Sequence, residues 1–444
     1  METGDEIELD VTDIAHGGVF VARHEGRVVF VSDTLPGERV RARLTDVGKA
    51  SFWRADTVEV LDPSPHRRPH VWASADVGTA PEDRPGGAEF GHIARPHQLA
   101  LKERVLADAL RRFARIEPAV SVEEARPLVA GAAAAGAETA DGTGWRTRVS
   151  LHVDAAGRIG PYAARSHRVI PVEDLPLATP AVARAARALA ARAEGRIDLV
   201  QPADGRVRIL PRPEGRARPD ARERELLIER VGDREFRVDA GGFWQVHRLA
   251  AATLWQTVSR RLAELPDLDP EAWHLDLYGG VGLFAALLGQ HGGPRTRVTS
   301  VESDAAATER AGENLAEWVG ARAETGRVDR WLAQLDRTAS AAERARLGRG
   351  VVVLDPPRAG AGRPVVEALG RLHPSAIVYV ACDPVALARD LATFRAAGYA
   401  PRSIDGLDLF PNSHHVEAIA VILPGAADEP DPVPEGLPPI TSST

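Results

Sequence analysis

Apolar and polar positions alternate with period two through the first part of the chain. Segments 6–11, 18–22, 27–31, 39–44 and 51–61 each read as a short strand, parted by the turn signals His16-Gly17-Gly18, Glu25-Gly26 and Pro36-Gly37. Strands this short and closely spaced predict an OB-like β-barrel over residues 1–62. The period then changes. Residues 63–96 are irregular and rich in Pro, Gly and His, and Leu99, Leu101, Val105, Leu106, Leu110 and Phe113 recur at helical steps across 96–116. An Ala/Gly-rich stretch at 128–144 reads as a loose surface loop, followed by strands at 146–153 and 169–171 and an Ala-rich helix at 179–194. Residues 63–240 are thus expected to form a mixed α+β central module.

Beyond residue 240 strand-like and helix-like runs alternate. Strands at 273–278, 297–301, 350–354 and 376–381 are interleaved with helices that begin near 282, 305 and 384. This predicts an α/β domain over 241–424 built on a Rossmann-like, doubly wound parallel sheet. Two closing strands, 403–410 and 415–423, have a short turn between them and read as an antiparallel pair. Residues 425–444 are Pro- and acid-rich and are expected to be disordered.

Composition narrows the class of protein. The 444 residues are 44% hydrophobic and 27% charged, an ordinary globular balance. No apolar run approaches the roughly 18–20 residues that span a bilayer. The acidic start lacks the layout of a secretion signal, so a cytoplasmic protein without membrane contact is expected, by default a monomer. Net charge is −8, so any nucleic-acid contact must come from local patches. Arg39, Arg41, Arg43, Lys49 and Arg54, with Phe52 and Trp53, could line one barrel face. That face is either a surface tracking an RNA backbone and stacking its bases, or a solvated strand face. Cys382 is the one cysteine, which excludes an internal disulfide and a cysteine-held zinc or iron–sulfur site. It is either a small buried hydrophobe or a working thiol. No other metal-spaced cluster occurs, so no metal is expected.

Four constellations carry candidate chemistry. His274-Leu-Asp-Leu-Tyr-Gly-Gly-Val-Gly282 ends a strand, turns on glycines and opens a helix, which lets a ligand approach the backbone; the alternative is a plain turn. Glu302 ends the next strand, at the offset where a carboxylate grips ribose hydroxyls. The glycine spacing is not that of a pyrophosphate loop, and Asp276 suits a methionine-type amino group, which points to S-adenosylmethionine. Asp355, before Pro356-Pro357-Arg358, falls at the carboxyl end of a strand, the edge where open α/β sheets bind ligands. Cys382 also ends a strand, just before a helix whose N-terminus is expected to lower the thiol pKa. Glu417, after His414 and His415, is embedded in an apolar run, either at an exposed strand end or in a pocket with a raised pKa.

Together these residues resemble the RNA uracil-C5 methyltransferase family, and the resemblance spans nearly the whole chain. Residues 5–62 resemble its TRAM domain. Trp145-Arg146-Thr-Arg148 is similar to its arginine-bearing strand, and Phe243-Trp244-Gln245-Val246 to its aromatic-aromatic-Gln signature. Asp276-Leu-Tyr278, Glu302 and Asp355-Pro-Pro-Arg358 match further contacts to cofactor and base. Cys382-Asp-Pro384, with Leu387-Ala-Arg389-Asp390-Leu391, matches the nucleophile motif, and His415-Val-Glu417 the base motif. The resemblance implies S-adenosylmethionine as cofactor, held by Gln245, Tyr278, Glu302 and Asp355, and transfer or ribosomal RNA as substrate. It also implies Cys382 as covalent nucleophile and Glu417 as base. The chain departs from the family at Asp383, usually Asn, at Gly279, often a cysteine, and at Arg327, where an acid near the adenine is common. Members with an iron–sulfur cluster carry four cysteines; here 69–92 has none and Leu175 stands at the last position.

Overall fold

The protein is described as a computed structural model covering residues 1–117, 119–128, 139–190, 193–215 and 220–425. The period-two segments form strands β1 (Glu6–Ala15), β2 (Val19–His24), β3 (Arg27–Ser32), β4 (Arg39–Asp46) and β5 (Phe52–Asp62). They close into a barrel in the order β1-β2-β3-β5-β4, with Leu9, Phe20, Val29 and Val40 filling its interior.

The outer surface of the barrel does not carry one continuous basic face. Arg39, Arg41 and Arg43 are engaged by Glu8, Glu59 and Glu6 of the neighbouring strands, at 2.7 Å for Arg39–Glu8 and 3.3 Å for Arg43–Glu6. Lys49 and Arg54 instead lie over the Phe52 and Phe30 rings, and Arg27 sits 4.4 Å over Trp53. Strand periodicity puts the four arginines outward, but their partners depend on which side chains the adjacent strands bring alongside.

The chain then runs into α1 (Arg95–Ala109), extended by a π-turn at Leu110–Ala114, and the short strand β6 (Val122–Glu124). A second sheet contains β7 (Arg148–Val153) and β8 (Ile159–Gly160), covered by α2 (Pro180–Arg187), and then β9 (Gly195–Val200) and β10 (Arg208–Pro213). The expected strand at 169–171 is a single bridge, Tyr162 to Val169. Residues 129–138 of the expected loose loop, and 426–444 of the expected disordered tail, lie outside the described residues. Residues 139–144 of that loop are pinned: Asn412 Nδ2 donates to the carbonyls of Asp141 (3.1 Å) and Gly142 (2.7 Å). A hairpin of β11 (Leu226–Val231) and β12 (Arg234–Asp239) follows.

The remaining elements alternate. They are α3 (Ala250–Ala263), β13 (His274–Leu277), α4 (Leu283–Gly292), β14 (Val298–Glu302), α5 (Ala305–Asn314) and β15 (Ala321–Thr325). Then come α6 (Val328–Thr338), α7 (Ala341–Leu347), β16 (Val351–Leu354), α8 (Arg363–Leu372) and β17 (Ala376–Ala381). The series ends with α9 (Pro384–Ala396), β18 (Tyr399–Asp408) and β19 (Glu417–Pro424). Among the described residues these strands order as β15-β14-β13-β16-β17-β19-β18-β6, parallel as far as β17. β19 runs antiparallel to both neighbours. Strand order reverses between β13 and β16, which opens a crevice at their carboxyl ends. Leu275, Leu277, Ile377 and Tyr379 face one core, and Val353, Val378, Val380 and Ile419 face the other, on the side of α3 and α4.

Two expectations fail here. β6, placed by sequence in the central module, pairs in parallel with Gly406–Asp408 and forms the far edge of this sheet, so a boundary at 240 does not separate the sheet from what precedes it. The last two strands are joined not by a short turn but by 409–416, the loop that carries His414 and His415.

Candidate active site

The glycine turn is fitted to one side of the crevice. Tyr278, Gly280 and Gly282 have φ of 62°, 54° and 89°, which swings the chain sharply from β13 into α4. Gly279 admits no side chain: a Cβ there would lie 2.0 Å from Ser300 Oγ and 2.6 Å from Asp276 Oδ2. Glu302 accepts the Gly280 N–H at 3.2 Å. Asp276 is fully buried; its Oδ2 accepts from Ala285 N and Ser300 Oγ, both at 3.1 Å, while Oδ1 has no partner.

Register brings the other candidates to the same place. Side chains alternate across a strand, so Asp276, Asp355 and Cys382 continue the face of β13, β16 and β17 that looks toward α3 and α4. Ala381 pairs with Ala418. One step further puts Cys382 opposite Glu417, where antiparallel partners lie about 4.5–5.5 Å apart at Cα. Glu417 is 6% exposed and Cys382 half-buried.

Burial and like charge dominate the electrostatics. Asp276 is pushed up to about 7 by burial, with Glu302 adding to it. Asp355 rises to about 7 by burial and by Asp276 and Glu302. Glu417 is raised well above the usual carboxylate range by burial and Asp355, against the pull of Arg358. The Cys382 thiol is pushed up to about 12 by burial, then by Glu417 and Asp355, again opposed by Arg358. The thiol thus moves the opposite way from the lowering expected of the helix N-terminus. Asp383 Oδ1 already accepts the first free N–H groups of α9, from Val385 (2.9 Å) and Ala386 (2.8 Å), and adds a negative charge.

Further side chains hold the loops around these candidates, some of them members of the motifs above and others, such as Lys102, Arg95 and Asp408, outside any motif. Asp390 accepts from Tyr379 Oη (2.6 Å) and from Ala361 N (2.7 Å), which ties α9 to the loop after Asp355-Pro-Pro-Arg358. Arg358 donates to His415 Nε2 at 3.3 Å; burial, then the neighbouring His414 and Arg358, push His415 down to about 3, so its ring is neutral and accepts. Buried Lys102 and Arg95 pair with buried Asp408 at 2.5 and 2.7 Å, and Lys102 also donates to Phe410 O. This anchors α1 to the start of the loop that leads to Glu417.

Tyr278, Glu302 and Asp355 line the crevice with Asp276. Gln245 is half-buried and directly follows exposed Phe243 and core Trp244; no hydrogen bond among the described residues joins it to the acids. Arg327 is not the acid sought near an adenine, but it pairs at 2.9 Å with Asp329. Burial, then the Asp329 and Asp390 charges, raise Tyr278 to about 12. The cysteine-free stretch supplies Trp72, Ala75 and Ala88 to an apolar cluster with Trp145, Leu177 and Leu175. Among the described residues no group of three His, Cys, Asp or Glu is arranged to hold a metal, and no helix is long and apolar enough to cross a membrane.

Four acids thus converge with little positive charge to meet them, and one carboxylate oxygen is buried without a partner. Such a pocket fits a ligand that brings its own cationic centres.

Comparisons with known proteins agree with this architecture. The TRAM domain family profile matches residues 1–52. An uncharacterized RNA methyltransferase of Streptomyces avermitilis is 39% identical, the match covering 95% of this chain and 99% of the relative. One from Bifidobacterium longum is 33% identical, over 94% and 96%. The crystal structure of Pyrococcus abyssi tRNA (uracil-54, C5)-methyltransferase in complex with S-adenosyl-L-homocysteine superposes with a TM-score of 0.65 at 20% identity, over 94% of this chain and all of that one, so the two share a fold. With relatives this similar over their full length, the chain belongs to the RNA methyltransferase family, in a form that begins with a TRAM domain.

Proposed function

We propose that the protein methylates C5 of a uridine in transfer or ribosomal RNA, with S-adenosylmethionine as cofactor. The observation that carries this reading is the cross-strand placement of the sole cysteine, Cys382, opposite buried Glu417, beside Asp355. A nucleophile and an acid–base group facing each other at a sheet edge suit covalent catalysis. Neither is needed to bind RNA alone.

The cofactor supplies a methyl group activated as a sulfonium. Asp276, Glu302, Asp355 and Tyr278 would hold it: Glu302 faces the glycine turn where a ribose diol is gripped, and Asp276 offers its unpartnered oxygen to an ammonium. Gln245 completes the set through the family resemblance, and Asp329 beside Tyr278 offers an acceptor for the adenine amino group. Cys382 gives up its thiol proton to solvent, the thiolate Sγ adds to C6 of uracil, and the displaced π electrons make C5 nucleophilic. C5 would then bond to the methyl carbon as the methyl–sulfur bond of the sulfonium breaks, its electron pair staying on sulfur. Glu417 takes the C5 proton, and the electrons of that C–H bond restore the C5–C6 double bond as the C6–S bond breaks. Asp355 orients the base, which must be flipped from its stack to reach the crevice. On the barrel, Phe30 and Phe52 with Lys49 and Arg54 form the surface suited to a single strand, while Trp53 points into the barrel core. Cys382→Ala tests this directly: nucleoside mass spectrometry should show no 5-methyluridine, while calorimetry shows cofactor bound as before. Full turnover by that variant would end the proposal.

A further inference from the structure

The RNA-binding barrel reaches the catalytic loops with one turn. His16, in the β1–β2 turn, lies 2.9 Å through Nε2 from Asp383 Oδ2, the residue directly after the nucleophile. Two residues on, Gly18 has φ of 75°, and a Cβ there would stand 2.8 Å from the His414 side chain. The turn therefore seats against both the Cys382–Asp383 corner and the loop leading to Glu417. Asp13 on β1 adds a 2.9 Å ion pair to Arg104 on α1. Asp383 divides its work: Oδ1 caps α9, and Oδ2 faces the barrel.

We propose that His16 is a positioning residue for Cys382, acting through Asp383: it orients the carboxylate next to the nucleophile and offsets its charge. The role of Cys382 as nucleophile rests on the function proposed above; the contact itself does not.

The physical reason is local charge. Burial alone would raise Asp383, yet hydrogen bonds from His16 and from the Ala386 and Val385 N–H groups hold it below the usual carboxylate range. It is therefore an acceptor, and His16 Nε2–H donates to it. Around the thiol, Glu417 on β19, Asp355 before α8 and Asp383 beside it all oppose the thiolate, and Arg358 favours it. Asp383 is the one of these acids that a residue of the barrel meets directly. With His16 in place Oδ2 has a donor on the barrel; without it Oδ2 loses that donor, Oδ1 still caps α9, and more of the charge bears on Cys382.

The chain has a single cysteine, so iodoacetamide reads Cys382 and nothing else. In the full-length protein at pH 8, His16→Ala should slow alkylation about threefold, as thiolate fraction falls. Asp383→Asn keeps a cap oxygen for α9 and should speed alkylation above wild type. The double variant His16→Ala/Asp383→Asn should react at the rate of Asp383→Asn alone, because the charge that His16 offsets is gone. Far-ultraviolet circular dichroism confirms that each variant is folded. An unchanged rate in His16→Ala, or the same threefold loss in the double variant, would overturn the proposal. Should the RNA show no uracil methylation, the function proposed above fails while this alkylation pattern still decides the role of His16.

Discussion

Replacing Asp276 with Asn should stabilise the ligand-free protein and at the same time remove its affinity for cofactor. Asp276 is fully buried, its Oδ1 is unpartnered, and its pKa stands near 7 instead of the usual 3.8. An acid whose pKa is higher in the folded chain than in the unfolded chain stabilises most below the unfolded value. That contribution is lost as pH rises toward the folded value. At about 1.36 kcal/mol for each tenfold change in proton affinity, the penalty is about 1.5 kcal/mol at pH 5 and levels off near 4 kcal/mol above pH 7. Asn carries no such penalty and can still accept from Ala285 N and Ser300 Oγ. Its amide N–H groups replace one unpartnered atom with another, so no large new term opposes the gain. Urea unfolding of wild type and variant at pH 5 and pH 8 measures the difference. The advantage of Asp276→Asn should grow by roughly 2–3 kcal/mol between the two pH values. Thermal shift by S-adenosylmethionine, clear for wild type, should vanish. A variant destabilised equally at both pH values would show that Asp276 is an ordinary ionised acceptor, and the reasoning would fail.

Three further outcomes follow from the same geometry. Because Asp276 and Asp355 both titrate near 7, binding a cationic ligand should release protons, and S-adenosylmethionine affinity should fall about tenfold per pH unit below 7 for each proton released. Calorimetry in two buffers of different ionisation heat measures this, and affinity that is flat from pH 6 to pH 8 contradicts it. Gly279→Ala forces a Cβ onto Ser300 Oγ and should destabilise by about 1–3 kcal/mol and weaken cofactor binding; an unchanged melting curve and affinity argue against the tight turn. On the barrel, Phe52→Ala should weaken RNA binding by about 1–3 kcal/mol in fluorescence anisotropy, and Arg54→Ala should lower the salt dependence by about one charge. Arg41→Ala, whose partner is Glu59, should do neither; equal losses in all three variants would refute the division of that surface.

Much of this architecture is legible in the chain because it rests on local pattern. The barrel follows from period-two alternation broken by glycines with positive φ, such as Gly17, Gly18 and Gly26. The crevice follows from apolar runs that stop at Asp355 and Cys382, where the buried strands emerge at their carboxyl ends. What the sequence hides is set by distant partners. Val122–Glu124 joins the sheet edge through β18, nearly three hundred residues later, and three residues carry no usable periodicity. β15, Ala-Arg-Ala-Glu-Thr, is an edge strand of half-exposed side chains and lacks the apolar run of its neighbours. Lys102 reads as a surface cation on a helix until Asp408 is seen beside it. The thiol pKa goes the opposite way from the local expectation for the same reason. The helix N-terminus is visible in the sequence, whereas Glu417 and Asp355 reach Cys382 only through folding.

In the proposed mechanism Cys382 attacks C6 of a uridine. Mixing the purified protein with S-adenosylmethionine and RNA in which uridine is replaced by 5-fluorouridine tests it most directly, because fluorine cannot leave C5 as a proton does. A stable adduct of protein, RNA and one methyl group, mapped by mass spectrometry to Cys382, is the expected result. Cofactor binding without any such adduct, on both transfer and ribosomal RNA, would contradict it and leave Cys382 a structural thiol.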